Sequence, residues 1–322
     1  MKAVRLHQFG PAEVLQYEEV PEPVVRPHSV LIEVKAAGVN RGDLGRRRGT
    51  YPGEATLPLI LGWEVAGVVR EVGEAVTTVR PGERVLAMLG QGGYAERVSA
   101  YDAQTVRIPD NLSFEEAAAV PVVFLTSWIA LQEIARVQEG EWVLVQAGAS
   151  GVGMAAIQIA RHAGARVIAT AGSAAKLDFC RQLGATAGIN YREEDLVQAC
   201  QRLTDGQGVD VVLESVGGQT FSQSVAVLRR YGRLVTVGNS AQQPATLDPG
   251  LLIRGDLSLH GLWLGGRLRE RRGWSAIHDI LPLLASGALK AVVDRTFPLR
   301  EAAAAHRYLE ARRNLGKVVL VP

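Results

Sequence analysis

The chain has 322 residues, 47% of them hydrophobic and 21% charged, and a net charge of +2. That length favours two cores over one, and the ordinary composition lets burial offset chain entropy without help from disulfides or metals. So small a net charge argues against a surface built chiefly to neutralise a nucleic-acid backbone or an anionic membrane. Cys180 and Cys200 are the only cysteines and have no spacing for a zinc site or a disulfide framework, which points to a reducing compartment. The opening MKAVRLHQFG lacks the unbroken apolar run of a secretory signal. No stretch reaches the roughly 18 to 20 apolar residues of a membrane span, so a cytoplasmic location is expected.

From Met1 to about Ala119 the sequence reads as short β segments, HSVLIEVKAAGV, EVAGVVREVG and PGERVLAML among them, separated by Gly and Pro. A mainly-β unit resembling a small, partly open barrel is expected. Between Phe114 and Arg136 the pattern turns helical, with Asn111 or Ser113 as the cap. EWVLVQAG, a helix from about Val152 to Ala163, ARVIATAG, a helix from Ala174 to Leu183, AGIN, VDVVLESVG and RLVTVG follow. Apolar strands alternating with amphipathic helices predict a parallel sheet covered on both faces, a doubly wound nucleotide-binding fold. AVVDRTFPL, EAAAAHRYLEARR and GKVVLVP then add a strand, a helix and a strand expected to return to the first unit. The fold class is therefore α/β, with a β-rich domain at 1–120 completed by about 291–322, and a nucleotide-binding domain at 121–290.

The strongest local signal is Gly148-Ala149-Ser150-Gly151-Val152-Gly153, directly after the strand VLVQA and before the helix MAAIQIARHAG. A pyrophosphate needs backbone N–H groups at a helix N-terminus and residues without bulky Cβ substituents. The three glycines meet that need and Ser150 adds a hydroxyl donor. A tight packing turn is the alternative. At the end of the second strand stand Thr170-Ala171-Gly172-Ser173, where NAD sites usually carry a carboxylate for the ribose 2′-hydroxyl. With no acid there and with Lys176 one turn into the next helix, the pocket suits a 2′-phosphate, hence NADP(H). Tyr191 would cover the adenine or donate to the same phosphate. The alternatives are a solvated Lys176 and a half-buried Tyr191. Gly238-Asn239-Ser240, after RLVTV, lies where ligands gather at the carboxyl ends of such strands, unless it is a plain turn.

AAGVNRGDLGRRRGTYP, LGWEVAGVVREVG, PGERVLAM, GGYAERV, AGASGVGMAAIQIARHAGARVIATAGSAAK, LGATAGINYREEDL and GKVVLVP together resemble the quinone oxidoreductase branch of the medium-chain dehydrogenase/reductase superfamily. They run in the family's order over nearly the whole chain. The resemblance implies a GroES-like catalytic domain joined to a Rossmann domain, NADPH as cofactor, and a quinone or enone as small-molecule partner. Zinc-dependent relatives carry a Cys after GV and a His-Glu pair; this chain has Asn40 and Trp63-Glu64, so a zinc-independent enzyme is expected. Without a Lewis acid the acceptor must itself stabilise added electron density, as quinones and α,β-unsaturated carbonyls do. By the same resemblance, Asn40, Tyr51 and Thr126 lie around nicotinamide and acceptor. Asn40 and Tyr51 are the catalytic candidates, and Thr126 orients the carboxamide. A second Tyr that some relatives carry near Gly45 is absent. Val237 and Gly261-Leu262-Trp263-Leu264 are expected to wall the cleft, with Trp263 equally suited to the core, and Lys317 is expected to reach the cofactor.

An alkenal or enoyl-thioester reductase would use the same fold, with Arg46-Arg47-Arg48 or the run Arg267–Arg272 as a basic entrance unless these are solvated faces. A non-enzymatic RNA-binding or lens crystallin-like protein is the alternative of another class, disfavoured by the low net charge. The family also implies a homodimer. GDLSLHGLWLG, apolar and close to the end of the sheet, is the expected pairing edge, unless its burial is purely intramolecular.

Overall fold

The computed structural model describes residues 1–53, 56–270 and 273–322. It divides into two compact units, Met1–Val122 with Ile277–Gly287 and Ala291–Pro322, and Val123–Ala276 with Ala288–Lys290. Ile277–Gly287 thus belongs to the first unit, whereas the sequence boundaries place it in the nucleotide-binding part. Part of the reason is that the Asn111 side-chain amide donates to the Ala285 carbonyl at 3.0 Å.

The first unit opens with β1 (Lys2–Leu6), β2 (Leu15–Glu19), β3 (Ser29–Val39), helix α1 (Arg41–Arg48), β4 (Leu59–Ile60), β5 (Glu64–Val72), β6 (Arg84–Met88), β7 (Arg97–Tyr101), β8 (Thr105–Arg107) and helix α2 (Phe114–Ala118). β1 pairs antiparallel with β2 and β4, while β3, β5, β6 and β8 run side by side in a larger sheet and β7 adds to β3. Alternating residues Val30, Ile32 and Val34 of β3 are buried in its core, as period-two patterning requires. A Cβ on Gly67 would lie 2.0 Å from the Glu33 carbonyl oxygen, so close strand approach demands glycine there. Ser113 caps α2 in a reciprocal pair with Glu116. The helical stretch expected from Phe114 to Arg136 breaks after α2. α3 (Pro121–Trp128) restarts with Pro121, which has no N–H to donate to a preceding turn, and continues as a wider π-helical stretch at Ile129–Ile134.

The second unit contains β9 (Trp142–Val145), α4 (Gly151–His162), β10 (Arg166–Ala171), α5 (Ala174–Gln182), β11 (Ala187–Asn190), α6 (Leu196–Leu203), β12 (Val209–Glu214), α7 (Gly218–Ala226), β13 (Leu228–Thr236), α8 (Pro249–Gly255), β14 (Ser258–Gly261) and α9 (Leu264–Arg269). Its strands are all parallel, in the order β11-β10-β9-β12-β13-β14. The order reverses beside β9, which makes the carboxyl ends of β9 and β12 the place where such sheets bind ligands. Every residue of β12 is buried, the signature of a strand covered on both faces.

The first unit is completed by α10 (Ile277–Ala285), β15 (Val293–Pro298), α11 (Ala302–Glu310) and β16 (Lys317–Val321). β16 pairs antiparallel with the end of β3, Val318 opposite Val39, so the returning strand meets the residue before Asn40. Among the described residues no helix is long and apolar enough to cross a membrane.

Candidate active site

In the second unit, the chain leaves β9 through Gln146 and Ala147 and enters α4 at Gly151. Ser150 is the N-cap, its Oγ accepting the Gly153 N–H at 3.0 Å, so its own O–H remains a donor. The Gly151 and Val152 amides have no backbone acceptor among the described residues, leaving two N–H groups at the positive end of the helix. The glycines divide their roles. A Cβ on Gly148 would meet Cys180 Sγ at 2.8 Å, and one on Gly153 would meet the Ala147 and Gly148 carbonyl oxygens at 2.5 Å. For these two the steric need is internal packing; the turn is tight so that the amides beside it can be presented. Ala149 is buried. The Ser127 hydroxyl donates to the Val152 carbonyl at 3.0 Å and ties α3 to the glycine turn, and its neighbour Thr126 is buried on the same helix.

At the ends of β10 and β11, Ser173 caps α5. The Tyr191 hydroxyl stands 2.5 Å, and Arg192 Nε 3.2 Å, from where a Gly172 Cβ would sit. Tyr191 is 49% exposed, which removes the half-buried packing alternative. Lys176 lies half-buried in the first turn of α5. Arg192 is exposed and forms no ion pair with a described residue. Sequence reasoning missed it: it sits two residues beyond β11 and joins Gly172 and Ser173 only once β10 and β11 pair in register, Ala171 opposite Asn190.

Farther along the sheet, Glu214 is fully buried and accepts from the Val216 and Gly217 amides at 2.7 and 2.9 Å and from the Thr236 hydroxyl at 3.3 Å. Burial raises its pKa, and the amide bonds oppose that rise. It holds the ends of β12 and β13 in place, and the half-buried Val237 and Ser240 and the exposed Gly238 and Asn239 follow directly. Asn239 packs on Gly217, whose φ of +81° admits no Cβ cheaply. Glu214 too was missed, since an acid at a strand end reads as a plain turn residue. Leu262 and Leu264 are buried. Trp263 is 43% exposed and therefore not core.

The first unit holds a separate polar cluster. Asn40 follows β3 and precedes α1. Its Nδ2 donates to Glu64 Oε1 at 2.7 Å, and its Oδ1 accepts from Lys317 Nζ at 2.7 Å. Lys317 also donates to Glu64 Oε1 at 2.6 Å and to the Val39 carbonyl at 3.2 Å. An ammonium has only three hydrogens, so Lys317 is fully engaged within this unit, and its expected reach to a cofactor is corrected. Because lysine only donates, the ammonium fixes the Asn40 amide, with its oxygen on Nζ and its NH2 toward Glu64 and beyond. The ion pair is almost completely buried, Lys317 at 2% and Glu64 at 0%. Tyr51 and Trp63 pack with ring centroids 4.8 Å apart, and Gly42 makes room, since a Cβ there would lie 2.2 Å from the indole.

These residues do not fit a zinc ion. Trp63 offers no ligand atom, and the space between Asn40 and Glu64 already holds an ammonium. Among the described residues no three His, Cys, Asp or Glu side chains gather as a ligand set. The run Arg46–Arg48 is not a bare solvated face. Arg47 is 1% exposed, and both Arg47 and Arg48 bond Glu310. Arg267 pairs with Glu133, while Arg271 and Arg272 lie outside the described residues.

The zinc-binding dehydrogenase family matches residues 151–285, and the alcohol dehydrogenase GroES-like domain matches residues 26–110. Quinone oxidoreductase 1 of Escherichia coli is 35% identical over 99% of both chains. A phenolphthiocerol/phthiocerol polyketide synthase of Mycobacterium tuberculosis is 35% identical over 99% of this chain, a match that takes up 15% of that protein. Among solved structures, Escherichia coli quinone oxidoreductase complexed with NADPH superposes with a TM-score of 0.94 at 34% identity over 100% of both chains. A structure described as an NAD-dependent alcohol dehydrogenase gives 0.93 at 36% identity, again over 100% of both. The CurK enoyl reductase gives 0.90 at 32% identity over 99% of this chain and 98% of that one. This chain belongs to the medium-chain dehydrogenase/reductase superfamily, in its quinone oxidoreductase family.

Proposed function

We propose that this NADPH-dependent oxidoreductase passes a hydride to a quinone without zinc, the second unit binding the dinucleotide and the first handling the acceptor. The observation that carries the reading is the buried Lys317–Asn40–Glu64 cluster, a fixed cation that orients the amide of Asn40, the residue that by resemblance stands where zinc-dependent relatives carry a Cys. The dinucleotide, when bound, supplies the hydride. The Gly151 and Val152 amides and the Ser150 hydroxyl would hold its pyrophosphate. Lys176, Arg192, Ser173 and Tyr191 would hold the 2′-phosphate, with no strand-end carboxylate to repel it. Val237, Gly238, Asn239 and Ser240 line the carboxyl end of β13, and Thr126 and Trp263 complete the cofactor side. In the first unit the free amide hydrogen of Asn40 and the Tyr51 phenol would donate to the oxygen that gains charge as the acceptor is reduced. Lys317 acts through Asn40, by polarising its carbonyl and fixing its orientation.

The test is NADPH and NADH oxidation by metal-stripped protein, offered a benzoquinone, phenanthrenequinone, an alkenal and crotonyl-CoA. Quinone turnover with NADPH preferred supports the reading; no turnover with any acceptor overturns it. A second reading, an enoyl-thioester or alkenal reductase, is favoured by the likeness to the CurK enoyl reductase and the polyketide synthase. Faster turnover of crotonyl-CoA would select it.

A homodimer is part of the same proposal. β14 ends the six-stranded sheet and pairs on one side only, with β13, among the described residues. Sedimentation at twice the monomer mass is expected, and a monomer at micromolar concentration would remove it.

A further inference from the structure

The first unit contains a second buried polar system that the chemistry above does not use. Asp43, Tyr94 and His306 are each 0% exposed, and Arg47 is 1% exposed. Asp43 accepts the Asn40 N–H at 2.9 Å on one oxygen and the Gly62 N–H at 3.3 Å on the other. One carboxylate therefore ties the turn that presents Asn40 to the turn that presents Trp63 and Glu64. Behind it, the Tyr94 hydroxyl lies 3.1 Å from His306 Nε2, and burial together with the neighbouring Asp43 raises the phenol's pKa well above its ordinary value. His306 Nδ1 lies 3.2 Å from Arg47 Nη1, and Arg47 continues to Glu310 and to the Gly10 carbonyl.

The far end of this chain sets the direction of its protons. A guanidinium only donates, so His306 Nδ1 must accept. The imidazole is neutral, because burial and the neighbouring Arg47 and Arg48 push its pKa down to about 3. Its single proton therefore sits on Nε2 and goes to the Tyr94 oxygen, so the Tyr94 O–H is left to donate elsewhere, with Asp43 the anion beside it. Asp43 accepts from the Asn40 and Gly62 amides, and Tyr94 has a proton to offer it.

We propose that Asp43 is a positioning residue of the acceptor site, holding the Asn40 and Gly62–Trp63 turns together as a carboxylate and releasing them when it gains a proton. The inference rests on the reading that Asn40 and Tyr51 act on the acceptor. Burial pushes Asp43 up to about 7; the Asn40 and Gly62 amides and Lys317 on β16 lower it, and Glu64 on β5 raises it. A protonated Asp43 would have only the Tyr94 oxygen to donate to. That oxygen already accepts from His306, and the displaced Tyr94 proton would have no acceptor, since Arg47 prevents His306 from reversing.

The test is steady-state kinetics of the full chain with NADPH and phenanthrenequinone from about pH 5.5 to about 8.5. Wild type is expected to show an acceptor KM that rises as pH falls through about 7, with the NADPH KM level. Asp43→Asn should hold the acceptor KM about 10-fold high at every pH, as expected for mispaired buried amides. Tyr94→Phe keeps the ring and removes one donor to the carboxylate, so its midpoint should move upward; it carries the test if Asp43→Asn does not fold. A pH-independent acceptor KM in wild type, an NADPH KM that moves in parallel, or an unshifted Tyr94→Phe midpoint overturns the proposal. If wild type reduces no quinone, the functional reading fails separately. The Trp63 indole N–H resonance then decides: titration near pH 7, lost in Asp43→Asn, supports the clamp, and its absence overturns it.

Discussion

In the second unit the groups proposed to hold the pyrophosphate come from one short stretch, Gly148–Gly153, and are mostly backbone amides at the start of a helix. In the first unit they are side chains from three distant segments, Asn40, Glu64 and Lys317, joined only when β16 pairs with β3. The contrast is one of electrostatic strategy. The glycine turn leaves donors open, whereas the Lys317–Asn40–Glu64 cluster has its charges already paired and buried. A preorganised cluster costs no rearrangement during reaction, but its desolvated ions make it intolerant of single changes.

That intolerance gives the largest expected effect. Lys317→Met leaves Glu64 as an uncompensated buried charge and should cost about 3–5 kcal/mol in urea unfolding. Adding Glu64→Gln should recover much of the loss; if it does not, the pair is not what the cluster depends on. On the nucleotide side, Gly153→Ala drives a Cβ to 2.5 Å from two backbone oxygens that cannot swing away. Calorimetric NADPH affinity should fall about 30-fold, the equivalent of about 2 kcal/mol of forced backbone shift, with smaller damage to the first unit.

His306 sharpens the same contrast through pH. Its folded pKa of about 3 lies below the ordinary value of 6.5, so the unfolded chain takes up a proton first and this residue's contribution is lost as pH falls below 6.5. Between pH 7 and 5 the loss amounts to about 2 kcal/mol. The raised pKa of Asp43 acts oppositely, adding stability on acidification. The check is therefore the difference between wild type and His306→Gln, which should narrow by that amount at pH 5; a constant difference would mean His306 is not held neutral. The smallest effect concerns cofactor choice. Arg192→Ala should raise the NADPH KM about fivefold and leave the NADH KM unchanged, the value of one charge-assisted contact. Equal changes for both cofactors would remove Arg192 from the 2′-phosphate site.

The same contrast explains what could be read in advance. The alternation of apolar strands and amphipathic helices locates α4 and α5 to within a residue, and in the folded unit Ser150 and Ser173 cap them through amides three residues away. The strand–glycine–helix turn is equally local. The acceptor cluster is not, because Lys317 reads as a residue that could point anywhere until β16 is registered against β3. The run Arg46–Arg48 reads as one basic face, although Arg47 turns inward to His306 and Glu310 while Arg48 stays at the surface. His306 and Asp43 lie far apart in sequence and carry no motif that joins them; Tyr94 connects them only in the folded unit.

The most direct test of the central claim is NADPH-driven quinone reduction in the presence of a strong chelator, with bound zinc quantified in the same sample. Full turnover by zinc-free protein is the predicted result. Activity lost on chelation and restored by added zinc would show that the Lys317–Asn40–Glu64 cluster does not stand in for a metal.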